Sequence, residues 1–143
     1  MPRKHAPASA GSFEVRNTRE QIDKVEAALM NALAAHAFPD AAKFALRLAV
    51  EEALVNAFKH GHKNLPAETP ATLSFSVDDS SAQIDVIDKG PGFKPQDVPD
   101  CRLEENLDKP SGRGLLLMRA YMTSVEHLGR GNHLRMRFAK PKT

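Results

Sequence analysis

One stretch limits the possible folds of this chain more than any other. Residues 44–61 contain no proline, are rich in alanine and leucine, and end on a glycine, with Pro39-Asp40 just upstream as a start signal. These features predict one buried helix.

Polar residues gather on one side of that helix. Four of them share a sector about 100° wide, with apolar residues on both flanks: Glu52, Asn56, Lys59 and His60. On an average helix such a stripe is the solvated face. This one combines a carboxylate, an amide, an ammonium and an imidazole, which suits a metal-phosphate site, because amide oxygen can hold Mg²⁺, lysine neutralises phosphate and glutamate can act as a base. Both interpretations stay open at this point.

Composition limits the class of protein. The chain has 143 residues, 41% of them hydrophobic, which fits one globular domain, and its single cysteine excludes an intramolecular disulfide. No apolar run approaches the ~20 residues that span a bilayer, and the N-terminus does not resemble a signal peptide. We therefore expect a cytoplasmic protein without membrane contact, with residues 1–10 as a disordered leader and 11–143 as a single domain.

Charge gives little indication of a partner. The formal net charge is only +2, so direct nucleic-acid binding is not favoured. Five basic residues gather late in the chain: Arg130, Arg135, Arg137, Lys140 and Lys142. They could meet an acidic partner, but a solvated strand edge and tail is the favoured interpretation.

The remaining elements follow from the alternation of polar and apolar residues. We predict a helix over about 19–37, capped by Asn17 or Thr18, and strands over about 12–16, 71–77, 82–88, 123–128 and 132–138. The apolar stripe of this helix is expected in the core: Ile22, Val25, Ala28, Leu29 and Leu33. The turn Asp78-Asp79-Ser80-Ser81 makes the second and third strands a hairpin.

Asp88 ends a predicted strand and opens the pattern Asp88-x-Gly90-x-Gly92. Two glycines let the backbone turn tightly and lie against a flat ligand, and a partly buried aspartate can accept a hydrogen bond from an exocyclic amine such as that of adenine. An ordinary strand-to-turn connection would look the same, and by itself it is the commoner explanation.

A proline-dotted, charged loop over residues 94–111 follows, and a lid over a ligand is its functional interpretation. It ends in Gly112-Arg113-Gly114, a glycine-rich turn predicted to open a short helix, where backbone N–H groups can bind phosphate. The segment lacks the Lys-Ser/Thr ending of a P-loop and follows no strand, so neither a Walker nor a Rossmann motif is present.

The order of these motifs resembles the ATP-binding superfamily shared by gyrase, heat-shock chaperones, sensor histidine kinases and mismatch-repair ATPases. Glu52-Ala53-x-x-Asn56-Ala57 and Gly112-Arg113-Gly114-Leu115 look most like the anti-sigma-factor serine-protein kinases. The resemblance covers almost all of 13–138. It implies an α+β fold, a two-layer sandwich with helices on one face of a mostly antiparallel sheet.

The resemblance also implies the roles of single residues. Asn56 would coordinate Mg²⁺, Glu52 would be the general base, and Lys59 would lie near the phosphates. Asp88 would bind the adenine amine. Five further residues would line ATP: Gly90 and Gly92 under the nucleotide, and Gly112, Arg113 and Gly114 around the triphosphate. The chain departs from the family pattern near the adenine, with Thr123 in place of an acidic residue and with Asn132 and His133 in place of a threonine.

Three functions are compatible with the motifs. The first is an ATP-dependent anti-sigma factor and protein serine kinase that binds a sigma factor and phosphorylates an antagonist protein, with a homodimer plausible by resemblance. The second is an ATP-responsive partner switch without phosphotransfer. The third, a detached histidine-kinase catalytic domain, is disfavoured because no phospho-acceptor helix is recognised upstream, and His60 is interpreted as an internal hydrogen-bonding residue.

Overall fold

The computed structural model describes residues 8–90, 122–129 and 132–140. These form an antiparallel five-stranded sheet in the order β1-β2-β3-β5-β4, together with two α-helices and a π-helical segment. The elements are β1 (Ser9–Val15), α1 (Arg19–Ala35), α2 (Asp40–Asn56), the π segment (Ala57–Gly61), β2 (Ala71–Val77), β3 (Ser81–Ile87), β4 (Ser124–Leu128) and β5 (His133–Ala139). The α+β fold predicted from the sequence is confirmed.

The core lies between the helices and one face of the sheet. Alternate strand residues point into it because successive side chains in a strand face opposite ways. The fully buried side chains come from both layers: Val15, Leu29, Leu33, Leu46, Val50, Leu54, Leu73, Val77, Ile84 and Met136. This packing fixes α2 over the centre of the sheet, next to β3.

Helix α1 begins and packs as predicted. Thr18 is its N-cap, and its side-chain oxygen accepts a hydrogen bond from the backbone N–H of Gln21 at 3.2 Å. The stripe that includes Ile22, Val25 and Leu29 is buried. The apolar stripe of the helix therefore belongs to the core.

Helix α2 differs from its prediction in two respects. It starts at Asp40, directly after Pro39, but its last five residues form a π helix and not the expected α-helix. One apolar flank is also only partly buried, since Phe44 is 70% and Val55 is 44% exposed. The core contacts come instead from the opposite flank, where small alanines let the helix approach the sheet closely.

A buried carboxylate joins the two helices. Glu26 of α1 is 3% exposed and lies between two arginines, with Arg47 Nε at 2.9 Å and Arg19 Nη2 at 3.3 Å. Arg19 also pairs with Asp23 and, at 2.5 Å, with Glu51 of α2. Because a buried charge is costly unless it is paired, this network fixes the position of α1 along α2.

The late basic residues that the structure describes are held by neighbours on the sheet. Arg135 donates two hydrogen bonds to Asp85, and Arg137 donates one to Gln83. Lys140 Nζ donates to the carbonyl oxygen of His36 at 2.6 Å. These contacts support the structural interpretation of the basic cluster. Arg130 and Lys142 lie outside the described residues.

Element boundaries otherwise agree with the sequence to within a few residues. Strand β1 starts at Ser9, so the last two residues of the expected leader belong to the sheet. The lid and the helix predicted after Gly112 lie outside the described residues. Within the described part of the chain, no helix has the length and apolar character needed to cross a membrane.

The ion network gives a stability prediction. Replacing both Arg19 and Arg47 by Gln should lower the free energy of unfolding by about 3 kcal/mol, because Glu26 is then a buried charge without a cation. Urea denaturation measures this loss. Adding Glu26→Gln to the double variant should recover at least about 1 kcal/mol. No recovery would mean that the arginines act by packing alone.

Candidate ATP site

Helix α2 carries Glu52 and Asn56 one turn apart near its end, both half-buried. The side-chain oxygen of Asn56 is buried and accepts no hydrogen bond from any described residue. Leaving a buried polar atom unpaired costs about 1–3 kcal/mol. A neutral oxygen left open in this way fits a ligand of Mg²⁺, which prefers hard oxygen donors.

The helix widens immediately after Asn56. The backbone N–H of His62 donates to the carbonyl oxygen of Ala57 at 2.9 Å, a hydrogen bond that spans five residues and not four. Short π turns occur frequently at functional sites. Here the segment leaves Lys59 and His60 exposed. His60 forms no side-chain hydrogen bond with another described residue, so these residues do not support its interpretation as an internal hydrogen-bonding residue.

Burial and neighbouring charges shift the pKa values of two residues in the polar stripe. Burial raises the pKa of Glu52, and the neighbouring negative charge of Glu51 raises it further. Partial burial of the ring and the cations Lys59 and Lys63 lower the pKa of His60. Glu52 therefore holds a proton more tightly than an ordinary glutamate, as a general base requires.

Asp88 follows β3 directly and is half-buried. Its Oδ1 accepts the backbone N–H of Gly90 at 2.8 Å. Burial raises the pKa of Asp88, although the hydrogen bond from the Gly90 N–H acts in the opposite direction. No described residue donates a hydrogen bond to Oδ2 of Asp88, so that oxygen can accept a hydrogen bond from a ligand.

Two glycines let the end of α2 meet the Asp88 loop. A Cβ atom on Gly61 would overlap the carboxylate of Asp88, and a Cβ atom on Gly90 would overlap the carbonyl oxygen of Gly61. Contact between the two segments thus requires glycine at both positions. The sequence analysis also predicts that a nucleotide packs on the backbone of Gly90, and the contact with Gly61 does not test that prediction.

Four further hydrogen bonds hold the loop. Lys89 donates its backbone N–H to Nε2 of His62 at 2.9 Å, and its side chain reaches the carbonyl oxygen of Pro70 at 2.5 Å. Asn132 Nδ2 donates to the carbonyl oxygen of Asp88 at 3.0 Å, and the Asp88 N–H donates to the carbonyl oxygen of Asn132 at 2.9 Å. Sequence reasoning missed His62, whose only signal was its place directly after the helix motif.

The other departures from the family pattern lie in the sheet. Thr123 Oγ1 accepts the backbone N–H of Ala139 at 2.8 Å and extends the pairing of β4 with β5. His133 Nε2 lies 3.4 Å from a carboxylate oxygen of Asp85. Neither side chain contacts the Asp88 carboxylate in the described hydrogen-bond network.

Part of the predicted site is described and part is not. The structure brings the helix that carries Glu52 and Asn56 against the loop that carries Asp88 and Gly90, with Gly61 at the contact. Four predicted ATP-lining residues lie outside the described residues: Gly92, Gly112, Arg113 and Gly114.

Comparison with known proteins agrees with this geometry. The family model of the histidine kinase-like ATPase domain matches residues 15–138. The chain therefore belongs to the histidine kinase-like ATPase domain family, a class of ATP-binding domains, as its motifs predicted. No curated protein matches the sequence.

The glycine contact gives a prediction that needs no ligand. Gly61→Ala should destabilise the fold by about 2 kcal/mol through overpacking against the Asp88 carboxylate. In an Asp88→Ala background that loss should shrink by more than about 1 kcal/mol, since contacting residues couple. Urea denaturation of the four variants measures the coupling.

Gly129→Ala is the matched control. This glycine has φ +59°, but a Cβ there would lie 3.7 Å from its nearest neighbour. Its cost should be about 1 kcal/mol, from backbone strain, and should be the same with or without Asp88. Equal losses for Gly61→Ala in both backgrounds would contradict the contact.

Proposed function

We propose that this protein is an ATP- and Mg²⁺-dependent protein serine kinase that acts as an anti-sigma factor. It would bind a sigma factor and phosphorylate an antagonist protein. The observation that carries the proposal is the pair Glu52 and Asn56, one turn apart on α2, with the Asn56 oxygen buried and unpaired. A domain that only binds ATP needs a metal ligand but not a base of raised pKa beside it.

The site residues divide the work of phosphoryl transfer. Glu52 would take the proton of the acceptor serine as its Oγ forms a bond to the γ-phosphorus, while the bond from that phosphorus to the bridging oxygen breaks and ADP leaves. Asn56 would hold Mg²⁺, which neutralises phosphate charge. Asp88 would accept the adenine amine, and the exposed Lys59 can approach the phosphates.

The sequence motifs are the basis for proposing a sigma factor and an antagonist protein as the partners. Glu52-Ala53-x-x-Asn56-Ala57 and the Gly112-Arg113-Gly114 turn are the features that resemble anti-sigma-factor kinases most closely. The same resemblance supports a homodimer. An ATP-responsive switch without phosphotransfer is the alternative, and the kinase assay below separates the two.

The first experiment is a thermal unfolding scan with and without Mg²⁺-ATP. Ligand at ~100 times its dissociation constant adds about 2.7 kcal/mol, so the melting temperature should rise by roughly 10 °C. Asn56→Ala and Asp88→Asn should abolish most of the rise, because they remove the metal ligand and the adenine acceptor. Asn64→Ala, an exposed amide beyond the π segment, is the control and should keep it. No rise in the wild-type protein at millimolar Mg²⁺-ATP would overturn the proposal.

The second experiment measures transfer of ³²P from γ-labelled ATP to a panel of purified antagonist proteins. Glu52→Gln should lower the rate by about 10²–10⁴-fold, the usual contribution of a general base, while Mg²⁺-ATP binding stays close to wild type. Nucleotide-dependent partner binding without any transfer would instead support the switch.

The pH dependence of that transfer follows from the charges. Glu52 must be ionised to act as a base, so the rate should fall as the pH drops through its raised pKa. Glu51→Gln removes the neighbouring negative charge and should lower the pKa of Glu52, moving the acid limb of the pH–rate profile to lower pH. An acid limb that does not move would contradict the assignment of Glu52.

A further inference from the structure

The peptide group between Asp88 and Lys89 is held on both sides. Its N–H, which belongs to Lys89, donates to Nε2 of His62 at 2.9 Å. Its carbonyl oxygen, which belongs to Asp88, accepts Nδ2 of Asn132 at 3.0 Å. Because a peptide group is planar, fixing both ends fixes its orientation, and with it ψ of Asp88.

The hydrogen bond also fixes the proton on His62. A backbone N–H can only donate, so Nε2 must be the unprotonated nitrogen, and the neutral ring carries its proton on Nδ1. That Nδ1 is buried and has no hydrogen-bond partner among the described residues.

An unpaired buried donor is unfavourable. His62 is 7% exposed, and its ring packs against Phe58 with centroids 5.7 Å apart. A phenylalanine there could make the same packing contact without an unpaired donor. What histidine adds is the acceptor at Nε2.

We propose that His62 and Asn132 form a clamp on the Asp88–Lys89 peptide that aims the Asp88 carboxylate at the exocyclic amine of the nucleotide base. The proposal rests on the proposed function, in which Asp88 binds adenine. Both are positioning residues, since each acts through the peptide and not on the ligand. The Gly90 N–H completes the arrangement by holding Oδ1 and leaving Oδ2 for the ligand.

The clamp also connects the two ends of the site. His62 directly follows the π segment, and Asn132 directly precedes β5. The loop is therefore aligned from outside by the helix that carries Asn56 and by the neighbouring strand.

The test compares His62→Phe, which keeps the ring and removes the acceptor, with His62→Gln, whose amide oxygen can replace Nε2. Loss of one positioning hydrogen bond should weaken Mg²⁺-ATP binding about tenfold in the Phe variant. Binding of the Gln variant should stay within about threefold of wild type. Isothermal titration calorimetry measures both, and the unfolding transition without nucleotide confirms that each variant folds.

A nucleotide without the exocyclic amine shows whether His62→Phe affects only the position of the Asp88 carboxylate or weakens nucleotide binding in general. Purine riboside triphosphate lacks the group that Asp88 would accept, so its affinity should change little between wild type and His62→Phe. The preference for ATP over this analogue should therefore fall about tenfold in the Phe variant and persist in the Gln variant. Equal loss for both nucleotides, or equal loss in both variants, would overturn the proposal.

Hydrogen exchange of the Lys89 amide tests the clamp without nucleotide. The amide should be protected in wild type and in His62→Gln and should exchange faster in His62→Phe. Unchanged exchange in the Phe variant would disprove the clamp even if ATP binds. If the wild-type protein binds no ATP, the proposed function fails, and with it the role assigned to the clamp, while amide exchange still decides whether the clamp exists.

Discussion

The contact of Gly61 with the Asp88 loop is the constraint on which the candidate site depends. Neither Gly61 nor Gly90 has room for a side chain there, so the backbone of one segment lies directly on the other. Helix α2 and strand β3 are both anchored in the same core, through residues such as Leu54 and Ile84. The distance between Asn56 and Asp88, the residues proposed to hold the metal and the nucleotide base, is therefore set by core packing and not by a flexible connection.

The π segment explains how the chain reaches that contact. His62 stands 18 residues after Phe44, which is five full turns of a regular helix at 3.6 residues per turn. An unbroken α-helix would thus place His62 on the same side as Phe44, which is 70% exposed. The wider turn after Asn56 instead lets His62 lie buried against the Asp88 loop. An irregularity one turn long converts a surface position into a structural one.

Sequence patterns predicted the parts of the molecule that depend on local periodicity. The alternation in β2 and β3 and the Asp78 turn gave the hairpin, and the buried stripe of α1 gave its packing face. They missed the contacts of His62 and Asn132, because these contacts join residues 27 and 44 positions apart in the chain. They also missed the π segment. A motif shows which residue types are present, but the reason for a glycine at Gly61 appears only when its neighbour across the fold is known.

The environment of Glu52 connects the ion network to the proposed chemistry. Burial is the larger cause of its raised pKa, and Glu51 is the smaller. Arg19 pairs with Glu51, so α1 partly offsets the repulsion that Glu51 exerts on Glu52. The affinity of Glu52 for a proton then depends mainly on how much water reaches it. In the proposed reaction, an acceptor protein that displaced water from α2 would raise that affinity further, so that docking of the acceptor would strengthen Glu52 as the proposed general base.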